Sequence, residues 1–129
     1  MFSRKNKNTI DSLIGVSTSI EGNVHFKGGL RIDGHVKGNV IADTSEVSML
    51  VISEQARIDG EVRAAHVVVN GEINGPVYSS ELIELQTRAR ISGDVHYKAL
   101  EMMNGALVTG KLTHELMNIE PVLKLAASN

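Results

Sequence analysis

The 129-residue sequence predicts an all-β fold: one parallel β-helix, a solenoid of about six coils with a triangular cross-section. Three observations predict it. Six glycines, Gly22, Gly38, Gly60, Gly75, Gly93 and Gly110, each have an aliphatic residue two positions before and two positions after, the alternation of a half-buried strand. Their intervals of 16, 22, 15, 18 and 17 residues match one turn of a three-faced coil, while the turn dipeptides that would close a regular series of hairpins are scarce. The hydrophobic residues, 42% of the chain, are nearly all aliphatic, with two Phe, two Tyr and no Trp, which suits a narrow interior.

Taken in order, the first coil centres on Ile20-Glu21-Gly22-Asn23-Val24 and the second on Val36-Lys37-Gly38-Asn39-Val40. The third is Ile58-Asp59-Gly60-Glu61-Val62, and the fourth is Ile73-Asn74-Gly75-Pro76-Val77. Ile91-Ser92-Gly93-Asp94-Val95 and Val108-Thr109-Gly110-Lys111-Leu112 complete the series. Four residues ahead of each glycine stands a small residue, Thr18, Gly34, Ala56, Gly71, Ala89 or Ala106, as a tight corner requires. A looser apolar series supplies a further face: Val51 and Ile52, Val67 to Val69, Leu82, Ile83 and Leu85, then Leu100 and Met102. The 22-then-15 irregularity predicts a bulge at residues 43–49. On this template the β-helix spans residues 16–112, between a flexible tail at 1–15 and a tail or partial cap at 113–129.

Several functions are disfavoured. A formal charge of -2 gives no global basic field for nucleic acid. The absence of cysteine removes thiolate chemistry and disulfides. The glycines follow the solenoid period without opening a phosphate loop, so neither nucleotide nor any other cofactor is expected. Of the five histidines only His25 and His96 share a column, and four coils separate them, too far for one metal. A hexapeptide-repeat acyltransferase would need a strict six-residue beat that these intervals lack, so no catalytic residue is assigned and the chain is not expected to be an enzyme. With no apolar run of signal-peptide or membrane-span length, the expected location is the cytoplasm.

A solenoid has two ends, and each exposes unpaired backbone groups that invite another strand. Self-assembly through the terminal coils follows, with Val16, Ile20 and Val24 at one end and Leu107, Val108 and Leu112 at the other. Head-to-head contacts would give a filament without polarity and head-to-tail contacts a polar one. A discrete, non-polymerising adaptor is the alternative.

Segments 30–40, 56–64, 67–79, 89–97 and 105–112, with Gly34 and Gly38 echoed by Gly71 and Gly75, resemble the bactofilins, bacterial cytoskeletal proteins. The resemblance covers about residues 16–112. It implies a right-handed β-helix that polymerises without nucleotide into non-polar filaments at the cytoplasmic face of the inner membrane, scaffolding cell shape or cell-wall hydrolases and synthases. Met1, Phe2, Arg4, Lys5 and Lys7 resemble the membrane-targeting segment of some members. Each basic residue there contributes about 1 kcal/mol beside an anionic leaflet, a weak attachment that many copies in a filament multiply. The chain lacks the long Pro-rich tail of many members.

Overall fold

The computed structural model describes residues 9–115, which form a parallel β-solenoid of six coils. Coil 1 comprises β1 (Ser12–Ile14), β2 (Ser19–Glu21) and β3 (Val24–Phe26); coil 2 comprises β4 (Gly29–Ile32), β5 (His35–Lys37) and β6 (Val40–Ala42). β7 (Met49–Ile52), β8 (Arg57–Asp59) and the first half of β9 (Val62–Val69) make coil 3. The second half of β9 opens coil 4, which continues through β10 (Glu72–Asn74) into β11 (Val77–Leu85). β11 in turn opens coil 5, completed by β12 (Arg90–Ser92) and β13 (Val95–Tyr97). Coil 6 is β14 (Leu100–Met102), β15 (Leu107–Thr109) and β16 (Leu112–His114). Every pairing among the described strands is parallel, between one coil and the next.

The registers reproduce the two sequence columns residue for residue. On the second face Ile20, Val36, Ile58, Ile73, Ile91 and Val108 stack in line. On the third face the line is Val24, Val40, Val62, Val77, Val95 and Leu112. The looser series is the first face, where Leu50, Ile52, Val67, Val69, Ile83 and Leu85 point inward and are fully buried. Branched aliphatics fill this interior because three narrow faces, two of them parts of one ten-stranded sheet and the other a six-stranded sheet, leave no room between them for large rings. Among the described residues the buried polar side chains Ser48 and Ser79 are both satisfied: Ser79 Oγ donates to the Ala65 carbonyl at 3.0 Å, and Ser48 Oγ accepts the Ala65 N–H at 2.9 Å.

The glycine column has a steric cause. A Cβ placed on Gly38, Gly60, Gly75, Gly93 or Gly110 would lie under 3.0 Å from the carbonyl oxygen of the anchor glycine one coil earlier. Bare backbone therefore rests on bare backbone along the rod. Beside it, the side-chain oxygen of Asn23 accepts the Asn39 N–H at 2.9 Å, that of Asn39 accepts the Glu61 N–H at 2.9 Å, and that of Asp94 accepts the Lys111 N–H at 3.0 Å. Pro76, which has no N–H to give, occupies this column in coil 4.

The small-residue column marks the corner between first and second faces, and that corner comes in two lengths. Coils 1, 3, 5 and 6 use four residues closed by a turn, for example Ala56 N–H to the Ser53 carbonyl at 2.9 Å. Coils 2 and 4 use only Asp33-Gly34 and Asn70-Gly71. These short corners nest under the preceding long ones: a Cβ on Gly34 would collide with the Gly15 and Thr18 carbonyls, and one on Gly71 with those of Ser53 and Ala56.

The long interval arises from loop 43–48 between β6 and β7. The short one combines β9, which crosses from third face to first without a loop, with the two-residue corner Asn70-Gly71 that follows it. One boundary shifts: β1 begins at Ser12, inside the segment read as a tail at 1–15. A template anchored on glycine could not see a strand that precedes the first anchor. At the far end β16 runs to His114.

Candidate functional site

Among the described residues the features suited to function are the two ends of the rod. β1, β2 and β3 pair only upward, with β4, β5 and β6. β14, β15 and β16 pair only downward, with β11, β12 and β13. Among the described residues each end thus presents three short strands with one edge that no other strand pairs, a template for further strand addition.

Side chains follow the same logic. Val36, Val40, Val62 and Ile73 in the middle coils are 0% exposed, while their column partners Ile20, Val24 and Val108 at the ends are half-buried and Leu112 is 43% exposed. The change is positional, since the residue type barely varies; the end members lack a neighbour on one side. Of the six residues expected at these ends, Ile20, Val24, Val108 and Leu112 occupy inward columns. Val16 instead lies in the first corner, 60% exposed, and Leu107 stands in the outward column beside Arg90.

Ile10, Leu13 and Met103, which the sequence template does not include, are exposed apolar residues of the terminal coils. Met102, the last member of the looser first-face series, is also exposed there and pairs with Leu85, but it is not among the end contacts expected from the sequence. Met1, Phe2, Arg4, Lys5 and Lys7 lie outside the described residues.

Three of the five histidines link one coil to the next. His35 Nε2 meets Asp59 Oδ2 at 2.8 Å, His66 Nε2 meets Glu84 Oε2 at 2.8 Å, and His96 Nδ1 meets Glu115 Oε2 at 2.7 Å. Each carboxylate comes from the coil that follows. The hydrogen bond from His35 and then that from Asn74 hold the Asp59 carboxyl down at about 2 against the opposition of burial, with the Arg57 guanidinium adding a smaller pull. Sequence spacing placed these histidines on the surface without revealing partners that sit diagonally across the register. Among the described residues no three acidic or imidazole groups are arranged to hold a metal.

Comparison with known proteins follows this geometry. The family model described as "Bactofilin: Polymer-forming cytoskeletal" matches residues 12–113, all six coils. The chain belongs to the bactofilin family. It is 24% identical over 115 residues to bactofilin BacO of Myxococcus xanthus, spanning 89% of this chain and 88% of BacO. Bactofilin BacP of the same organism is 22% identical over 114 residues, where the match covers 88% of this chain and 45% of BacP. The solved structure of Thermus thermophilus bactofilin double helical filaments, a cryo-EM reconstruction, matches with a TM-score of 0.72 at 28% identity, covering 81% of this chain and 99% of that one. This bactofilin is accordingly a polymer-forming cytoskeletal protein.

Proposed function

We propose that this bactofilin assembles end to end through its terminal coils, without nucleotide, into non-polar filaments on the cytoplasmic face of the inner membrane, where they scaffold cell-shape or cell-wall machinery. The observation that carries the reading is the coincidence, at both ends of the described rod, of three strand edges without a strand partner and inward columns that step from buried to half-buried or exposed. Val16, Ile20 and Val24 form one contact, and Leu107, Val108 and Leu112 the other. A two-fold contact requires a surface complementary to itself. Aliphatic side chains satisfy that, since they bring no like charges together. Met1 and Phe2 supply a small apolar insertion into lipid, and Arg4, Lys5 and Lys7 supply attraction to anionic headgroups. Cell-wall hydrolases or synthases are the partners that the family resemblance suggests.

Leu112→Arg tests the contact. It places a charge on its own symmetry mate at a C-terminal joint while leaving the N-terminal joint intact. Electron microscopy of nucleotide-free protein should show wild-type filaments and none in the variant, whose circular dichroism keeps its strand signal. Sedimentation of the variant should give dimers; unchanged filaments would sink the interface assignment, and monomers would sink the non-polar arrangement.

A further inference from the structure

Loop 43–48 overhangs the corner between the third and first faces, and beneath it a groove of about 520 Å³ runs along the rod toward coil 6. Its floor includes Ala42, Ala64 and Ala65, with Ile41 and Val47 at the loop end. One wall is a stack: the Arg63 guanidinium lies 4.0 Å over the Tyr78 ring, and Tyr78 lies on the His96 imidazole with centroids 4.6 Å apart and planes 8° from parallel. Loss of one end contact would not alter this groove, which lies on the flank of the rod.

We propose that the groove is the docking site of the chain's own segment 116–129, which folds back along the corner from Glu115. The point of departure is the first argument. Glu115 itself lines the groove, its N–H donating to the Tyr97 carbonyl at 2.7 Å and its carboxylate meeting His96 at 2.7 Å. The chain therefore leaves the solenoid at the mouth of the groove.

Reach is the second argument. From coil 6 back to the loop of coil 2 is four steps, roughly 19 Å at about 4.8 Å per step. An extended chain covers about 3.3 Å per residue, so about six residues span the groove. Fourteen residues follow Glu115 in the sequence, enough to traverse it.

Chemistry is the third. Residues 116–125 carry Leu116, Ile119, Val122, Leu123 and Leu125, apolar side chains for an apolar floor. Pro121 biases Glu120 toward extended conformations and interrupts a helix, which suits a narrow channel. Lys124 is the only basic residue of the segment, and the loop end of the groove offers the exposed carboxylates of Asp43 and Glu46.

The wild-type chain has no cysteine, so a disulfide can report proximity directly. In full-length protein, Thr44→Cys places a thiol at the exposed loop end of the groove, where an extended tail brings residue 122, and Ser92→Cys places one on the exposed second face. Each is combined with Val122→Cys and oxidised under mild conditions. The proposal expects an intramolecular disulfide in the Thr44 pair at least about tenfold faster than in the Ser92 pair, because docking raises the local concentration of one thiol at the other. Adding Ile119→Asp and Leu123→Asp should reduce the Thr44 rate to that of the Ser92 pair. Equal rates in the two pairs, or an unchanged rate in the charged variant, would overturn the proposal. Disulfide-linked dimers in place of the intramolecular product would also overturn it, assigning the groove to a second copy. Filament formation is scored separately by electron microscopy, so failure of this docking is distinguishable from failure of end-to-end assembly.

Discussion

Replacing Gly75 by alanine should destabilise the solenoid far more than a methyl group normally does. The added Cβ would meet the Gly60 carbonyl oxygen and carbon, both backbone atoms held in a coil that cannot move alone. Relief requires coils 3 and 4 to part locally, which stretches the Gly60 N–H to Asn74 carbonyl bond and the Val62 N–H to Pro76 carbonyl bond, both 3.0 Å. Each weakened bond costs about 1 kcal/mol net, and each buried group left unpaired costs about 1–3 kcal/mol. The expected loss is about 3–5 kcal/mol, a large part of the ~5–15 kcal/mol that holds a typical domain folded. Two sister substitutions calibrate it. A Cβ on Gly15 meets nothing within 4 Å and its φ is not positive, so Gly15→Ala should change stability by less than about 0.5 kcal/mol. Gly22 is equally open but has φ +125°, so Gly22→Ala should cost about 1–2 kcal/mol from backbone strain alone. Guanidinium unfolding followed by circular dichroism, at matched protein concentration because assembly adds to apparent stability, gives all three values. A Gly75→Ala protein as stable as Gly15→Ala would refute the steric account of the ladder.

Three other outcomes are expected. Ile73→Ala, in a fully buried position with a neighbour above and below, should cost about 2–5 kcal/mol, and Ile20→Ala in the terminal coil less; the same unfolding experiment compares them, and equal losses would contradict the burial gradient. Because the Asp59 carboxyl sits below its ordinary value of 3.8 in the folded chain, its contribution is full above about pH 4 and is lost as pH falls toward about 2. Asp59→Asn should therefore flatten the acid limb of the melting temperature between those values, and an unchanged slope would show that the His35 and Asn74 contacts do not hold in solution. Deleting residues 2–7 should abolish co-sedimentation with anionic liposomes while filaments still form, whereas retained binding would exclude those residues as the anchor.

The second and third faces were legible because each repeats one residue type on either side of a glycine that sterics leave no freedom to change. The first face was blurred, since Val51, Val68 and Leu82 point outward while remaining apolar, which hides the alternation. β1 was missed for want of an anchor glycine ahead of it. The ends of the rod could be reasoned from topology, yet which residues face sideways was not visible: Leu107 looks like a core residue in sequence and proves to stand beside Arg90 on the flank. The histidine links and the groove depend on diagonal neighbours and on the overhang of loop 43–48, neither of which a column alignment records.

The two corner lengths, which alternate over coils 1 to 5 and then repeat the long form in coil 6, bear on how such a chain can change in evolution. Single insertions are absorbed only where a loop can leave the surface, as at residues 43–48, without moving Ile32 off Ile52 or Val40 off Val62. Elsewhere an added residue would turn a column inside out. Coils 5 and 6 set one long corner directly on another, so the stack accepts a single further coil as well as a long-short pair. The natural unit of length variation in this protein is therefore one whole turn of the rod, and lineages that lengthen or shorten it should do so in steps of roughly 17–18 residues.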